Sequence, residues 1–371
     1  VNFAFSEEQE ELRRYARQWI TERMPLERVR ELMETPEGFD RSDWSAVAEL
    51  GWQAMAIPEE YGGAGFSLLE LAVLMEEQGR GLFCGPFLST VVAAANAILL
   101  AGSEEQKAEI LPGIATGETV ATLAVSEDRA AWDGQHLSTS AVRTGDDWTI
   151  EGTKRFVLDG HTADILVVAA QTADGVGLFL VPGDADGVER TVLPAMDETR
   201  KQAEVTLSGV TVGPSAWLDS GEGGTLDRVN DIIAVSLALE QVGGAQATLD
   251  MAVQYAKDRQ QFGKPIGSFQ AIKHMCADML VKVESARAAA YYAMWTVAEG
   301  TDEAATVVPL AKAYCSDAFF DCAGMNIQVH GGIGFTWEHD AHLFFKRAKS
   351  SQVMFGTPAE RRRQLAERLG F

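Results

Sequence analysis

"YAKDRQQFGKPIGSFQAIKHMCADM", residues 255–279, leads into a long helical pattern that sets the architecture of the chain. Ser268 is an N-cap residue type, and after it Phe269, Ile272, Cys276, Met279, Leu280 and Val283 recur three and four apart. That spacing is the apolar stripe of a helix. The run continues as "LVKVESARAAAYYAMWTVAEG", which makes a helix of roughly 45 Å at ~1.5 Å per residue. Long helices dominating the chain from about residue 222 predict a four-helix bundle over 222–371.

Upstream of the bundle the pattern changes. "ETVATLAVSE", "DDWTIEGTKRFVLDG", "ADILVVAAQT", "GVGLFLVPG" and "AEVTLSGVTV" are short β-branched runs parted by Gly, Asp and Pro. They predict a compact antiparallel β domain, a barrel or sandwich, over 119–221. Residues 1–118 read as helical again. Ser6 with Gln9, and Ser103 with Gln106, spell capping boxes. Leu12, Tyr15, Ala16, Trp19 and Ile20 follow the first box at helical spacing, and Pro112-Gly113 is read as the stop after the second. The fold class is therefore α+β multidomain, in the order helical, β, helical.

Composition narrows the chemistry. With 54 acidic against 31 basic residues the formal charge is −23, which argues against nucleic acid, because phosphate backbones need a basic stripe. An anionic cofactor would need a locally basic pocket. The sequence shows no apolar run near the ~18 residues that span a bilayer, and the acidic, amphipathic N-terminus does not resemble a targeting peptide. Cys84, Cys276, Cys315 and Cys322 have no CxxC pairing. Cys315 and Cys322, seven apart, share a helix face and read as core. His161, His274, His339 and His342 lack a persuasive metal-ligand spacing, so no metal is expected. The expected location is the cytoplasm.

Four segments carry a resemblance. "PEEYGGAG" (58–65), "GSEEQKAEILPGIATGE" (102–118), the opening stretch and "QVHGGIGFTWEHD" (328–340) are similar to motifs of the acyl-CoA dehydrogenase family, over essentially the whole chain. The resemblance implies a helical domain, an antiparallel β-barrel and a helical bundle, with FAD at their junction. It also implies dimers or tetramers, an acyl-CoA thioester oxidised to the 2,3-enoyl-CoA, and electron-transfer flavoprotein as a possible partner.

Several residues then acquire expected roles. Arg259 offers a fixed fork of donors suited to a pyrophosphate, although alone it reads as a surface ion pair. Phe262 suits an adenine face, and Gln270 carries both donor and acceptor. The family pattern gives these three to the adenosine and pyrophosphate of FAD, often that of a neighbouring subunit. Gln328, Gly331 and Gly332 form Q-x-x-G-G, 58 residues after Gln270. Paired glycines let backbone N–H groups approach phosphate oxygens without a Cβ between. His330, inside this motif, is read as positioning backbone. Thr357, in "FGT", and Ser126 complete the expected FAD contacts.

The departures concern the catalytic half. Removing a weakly acidic α-proton needs a carboxylate within reach. Many family members have Glu directly before Gly-Thr; here that residue is Phe355. Other branches place it thirteen residues before the Gln of "VGGAQ", which here is Ile233, counted from Gln246. Glu240, seven residues on from Ile233, is displaced by about 10 Å along a helix and is a weak base candidate; Glu360 is weaker still. A family loop that touches flavin and CoA keeps only Ser126 and Glu127 in "VSEDRAAWDG" (125–134), and "FVL" (156–158) replaces a W-I-T tripeptide, losing a hydroxyl at Leu158. The pattern looks like the base-lacking chain of heteromeric acyl-CoA dehydrogenases of actinobacterial steroid side-chain breakdown. Two other readings stay open: a homo-oligomeric dehydrogenase that uses Glu240, and a flavin- or CoA-binding protein that does not dehydrogenate.

Overall fold

The computed structural model describes residues 5–128, 132, 134, 137–218 and 224–371. The N-terminal helices are α1 (Glu7–Arg23), α2 (Leu26–Met33), α3 (Arg41–Glu49) and α4 (Leu68–Arg80), then a fully buried π-helical run Leu88–Ala94 that passes into α5 (Ala95–Ala101), and α6 (Glu104–Ala115). Both predicted capping boxes form, at Ser6–Gln9 and Ser103–Gln106. Pro112-Gly113 does not stop α6. Pro112 lies inside its last turn, and Thr116 closes the helix by donating to Ile114 O and Pro112 O.

Among the described residues eight strands follow: β1 (Ala121–Ala124), β2 (Ser140–Thr144), β3 (Asp147–Leu158), β4 (Ile165–Thr172), β5 (Gly175–Pro182), β6 (Val188–Val192), β7 (Gln202–Val212) and β8 (Trp217–Leu218). They form one sheet in the order β6-β7-β3-β2-β4-β5-β8, with β1 beside β4. Two details differ from the expected antiparallel barrel. The sheet is open, with β6 and β8 at its ends, and β1–β4 and β2–β4 pair in parallel. Five consecutive buried residues of β4, Leu166–Ala170, explain the topology. A strand covered on both faces loses the polar alternation of a half-exposed strand, and can take neighbours of either direction. Strand β3 carries two register shifts, at Ile150/Gly152 and Lys154/Val157. At the second, Phe156 takes a left-handed φ of 58°.

The C-terminal part holds α7 (Thr225–Asp258), a short hairpin β9 (Gln260–Gln261) and β10 (Lys264–Pro265), then α8 (Gln270–Ala298), α9 (Ala304–His330), α10 (Ala341–Val353) and α11 (Pro358–Arg368). Ser268 does not cap α8; it lies in a 3₁₀ turn, and Phe269 is the N-cap without a side-chain bond. Met279 and Val283 are buried as their spacing predicts, whereas Leu280 points outward at 48% exposure. Cys315 and Cys322 lie in the core. Helix α7 is long and apolar enough to cross a membrane by length and composition, yet 89% of its apolar window is buried within the protein.

The chain divides into two compact units: residues 1–30, 68–83 and 234–371, and residues 31–67 and 84–233. The first joins α1 and α4 to the bundle. A polar cluster joins α1, α4 and α8: Glu76 of α4 accepts from Arg287 Nε (3.0 Å) and Tyr291 OH (2.7 Å) of α8 and from Arg13 Nη2 (3.3 Å) of α1. Glu77 takes two bonds from Arg17, at 2.9 and 2.7 Å. Nothing in the helical periodicity marks these acids as interior, because each is buried only by having its cation supplied from a distant helix.

Candidate cofactor site and the base positions

In the first unit, the C-terminal ends of α7 and α9 meet. The ring of Tyr255 lies 4.1 Å from that of His330, and Asn326 Nδ2 lies 3.2 Å from Met251 Sδ. This juxtaposes the two sequence motifs. Arg259 follows α7 by one residue, its carbonyl accepting from Ile266 N across the hairpin (2.8 Å). Phe262 sits at the hairpin tip, 90% exposed, with φ of 54°. Gln270 opens α8 and is exposed. At the other motif Gln328 is exposed on the last turn of α9, and Gly331, with φ of 65°, caps the helix by donating to Gln328 O and Ile327 O. A Cβ built on Gly331 or Gly332 meets nothing within 4 Å, so the backbone there is open to a ligand. A guanidinium, an exposed aromatic face, two amide side chains and an open glycine turn fit a dinucleotide such as FAD. Residues 259, 262, 270, 328, 331 and 332 would hold its adenosine and phosphates.

Thr357 has a structural role of its own. It is the N-cap of α11, its hydroxyl accepting from Glu360 N (3.3 Å) and donating to Glu360 Oε2 (2.8 Å). T-P-A-E is a capping box readable from sequence. The same box holds the Glu360 carboxylate below the ordinary range, chiefly through the Thr357 N–H, so Glu360 is engaged as a cap.

In the second unit Ser126 is buried at the end of β1, its carbonyl accepting from Arg155 N (2.8 Å). Glu127 anchors that turn. Its carboxylate accepts from Ser138 N (2.6 Å), Thr139 N (3.0 Å), Thr139 Oγ1 (2.7 Å) and Lys154 Nζ (2.7 Å). Burial acts to raise the Glu127 pKa, but Lys154 and the backbone donors outweigh it and hold it at about 2. Burial lowers Lys154 to about 8, with Glu127 opposing. Residues 129–131 and 133 of the eroded family loop lie outside the described residues. Leu158 is buried, its carbonyl accepting from Thr122 Oγ1 (2.6 Å).

Neither base position offers a proton acceptor on its side chain. Ile233 is fully buried and Phe355 is 3% exposed. Phe355 takes φ of 51°, and its carbonyl accepts from Arg361 Nε (2.9 Å) and Nη2 (2.6 Å). Glu240 is also buried, and its Oε1 accepts from Arg347 Nη1 at 3.1 Å.

Sequence reading missed the amine beneath the Phe355 turn. Lys312 is fully buried on α9, donating to Ser316 Oγ (2.9 Å), Ser351 O (3.1 Å) and Gly356 O (3.5 Å). A lysine on a helix is by default a solvated residue, so its sequence position gives no sign of this. Burial, then the nearby Arg361 charge, depress its pKa from 10.5 to about 7. Between those values the unfolded chain binds the extra proton, so this contribution is full above pH 10.5 and lost as pH falls toward 7. Denaturation of wild type and Lys312→Met at pH 7 and at pH 9.5 should therefore show the difference moving in favour of wild type at the higher pH. A difference that does not vary with pH would remove the titration from this lysine.

Three family models match the chain: the acyl-CoA dehydrogenase N-terminal domain over residues 6–118, middle domain over 122–210 and C-terminal domain over 232–370. Acyl-CoA dehydrogenase IpdE2 of Mycolicibacterium smegmatis is 35% identical over 361 residues, covering 97% of this chain and 98% of the relative. The solved ChsE4–ChsE5 complex from Mycobacterium tuberculosis superposes with a TM-score of 0.92 at 28% identity, covering 100% of this chain and 99% of that one. A steroid acyl-CoA dehydrogenase, Tcur3481–Tcur3483, gives a TM-score of 0.89 at 31% identity, with 98% of both chains covered. Helical, β and helical parts, an open glycine turn at the end of α9 where α7 meets it, and these matches converge: the chain belongs to the acyl-CoA dehydrogenase family of FAD-dependent oxidoreductases.

Proposed function

We propose that this chain is the companion subunit of a heteromeric acyl-CoA dehydrogenase. It supplies the adenosine-binding half of an FAD site to a second acyl-CoA dehydrogenase chain and contributes no base of its own. The observation that carries this reading is the chemistry of the two base positions, Phe355 and Ile233, both apolar and both buried. FAD, when bound, supplies a hydride acceptor for the β-carbon of the thioester. The α-proton then needs a carboxylate, and the partner chain provides it. Arg259, Phe262, Gln270 and the Gln328–Gly332 turn bind and orient the dinucleotide from this side. Their exposure in a single chain agrees with a site completed by a partner.

The ChsE4–ChsE5 relative is a complex of two proteins, and another relative acts as a steroid acyl-CoA dehydrogenase. These support an assembly with a second acyl-CoA dehydrogenase chain, which we take to be a dimer of dimers, and a bulky, steroid-type acyl-CoA as the substrate class, with fatty acyl-CoA as the competing class. A cytoplasmic location is part of this proposal and rests on the cysteine pattern of the sequence alone. Electron-transfer flavoprotein is the proposed electron acceptor.

The test is co-purification with a neighbouring acyl-CoA dehydrogenase chain, followed by flavin quantification and turnover of steroid-type and fatty acyl-CoA. The expected result is one FAD per two chains and dehydrogenation by the mixed assembly alone. Full activity of the isolated chain would sink the proposal.

A further inference from the structure

His330 ends α9 immediately before the Gly331–Gly332 turn, and its environment is built for a neutral ring. It is 5% exposed and packed between two tilted rings, Tyr255 of α7 at 4.1 Å and His339 at 4.3 Å. Its Nδ1 lies 2.8 Å from Asn326 O. A carbonyl only accepts, so Nδ1 carries the proton and Nε2 is the nitrogen that titrates. His339 is set the other way round. Its Nδ1 accepts the N–H of Ala341, the first residue of α10, at 3.1 Å. A protonated Nδ1 cannot accept, and it would place a cation at a helix N-terminus, where the dipole disfavours it.

The surrounding charges do not compensate. Arg30 of α2 approaches from one side, its Nε 2.8 Å from Asp340 Oδ1 and its Nη2 3.4 Å from His342 Nε2. Asp340, the nearest acid, is thereby paired. Lys346 of α10 lies over the Trp337 ring at 4.2 Å, and Trp337 packs edge-on to His342 at 4.7 Å. Tyr255 is the titratable residue facing the pair from α7, and Glu338 is exposed in the connecting loop. Burial is the largest influence on His330, His339 and His342, and it lowers all three below 6.5. Asn326 O and Asp340 oppose the shift, while Arg30 and, at His342, Lys346 reinforce it. For a base with a lowered folded pKa, the stabilisation is complete above the unfolded value and is lost as pH falls below it. The window therefore opens below pH 6.5.

We propose that His330 and His339 are positioning residues for the Gln328–Gly332 turn, and that protonation of this ring pair opens the turn and releases the dinucleotide. Two imidazolium rings 4.3 Å apart repel, and protonating His339 at Nδ1 also breaks its bond from Ala341 N at the start of α10. The release step rests on the reading that this turn holds FAD phosphates; the opening step does not.

The experiment follows the flavin-loaded assembly from about pH 7.5 to about pH 5.5. It reads hydrogen exchange of peptides covering 326–341 and fluorescence of released FAD. Two variants remove the titration while each keeps one of the native contacts. His339→Asn caps Ala341 through its side-chain oxygen, and His330→Phe keeps a ring between Tyr255 and His339. In wild type, exchange and FAD release should rise together below pH 6.5. Each variant should release about tenfold less FAD at the acidic end, the effect of moving an opening equilibrium by about one pH unit. Acid-induced opening and release at the wild-type pH in both variants would overturn the proposal. If His330→Phe does not fold, His339→Asn alone decides. Acid opening that the variants suppress, with FAD retained, would uphold the switch and overturn the placement of FAD at this turn.

Discussion

Replacing Gly243 by alanine should lower the stability of the chain by about 3 kcal/mol or more, the upper end of overpacking in a close-packed interior. A Cβ at Gly243 of α7 would stand 1.8 Å from Glu76 O and 2.8 Å from Arg80 N on α4. One turn away along the same crossing, a Cβ at Gly79 of α4 would stand 1.9 Å from Glu240 O. Both obstacles are backbone, so no rotamer change relieves them and the helices must separate. Alanine has a helix propensity better than glycine by about 1 kcal/mol, which works against the clash and is smaller than it. Separation would also disturb the Glu76 carboxylate, which Arg287, Tyr291 and Arg13 hold from α8 and α1. Chemical denaturation checks this. An unchanged or higher midpoint in Gly243→Ala would show that α4 and α7 do not cross on glycine.

The same glycines show what sequence could and could not convey. "VGGAQ" serves on paper to locate Ile233 by counting, yet in the fold Gly243 admits α4 and Gly244 admits the Phe319 ring, whose Cζ would be 2.3 Å from an added Cβ. The order helical, β, helical was legible because helix and strand periods differ. Arg259, Phe262 and Gln270 lie close together around one hairpin because their spacing is local in the chain. The openness of the sheet was not legible, since closure depends on which edges pair and strand patterning is silent on that. Thr357 as a cap was legible in T-P-A-E, where the glutamate stands three residues after the threonine. Lys312, Lys154 and Glu76 were invisible for a common reason. A buried charge is defined by partners far away in sequence, and its own neighbours give no periodic sign of it.

Glu240 is where structure most sharply divides a catalytic from a structural reading, and two substitutions separate them. Glu240→Ala should destabilise the chain by about 3–5 kcal/mol, the usual consequence of removing one partner of a buried ion pair. Arg347 and Glu240 are both almost fully buried, and the guanidinium would lose the carboxylate 3.1 Å away. Glu240→Gln keeps an acceptor oxygen for Arg347 and should cost much less. If Glu240 were the base, the amide would be as disabling as alanine, because it cannot take a proton, and turnover would fall by about 10²–10⁴-fold. We expect the assembled enzyme carrying Glu240→Gln to keep turnover within about twofold of wild type, since no proton transfer is lost. Turnover and denaturation midpoint measured on the same preparations therefore give opposite patterns. A collapse of turnover in Glu240→Gln at wild-type stability would restore Glu240 as the base and make the chain a self-sufficient dehydrogenase. Retained turnover, with a large stability loss only in the alanine variant, leaves the α-proton to the partner's carboxylate.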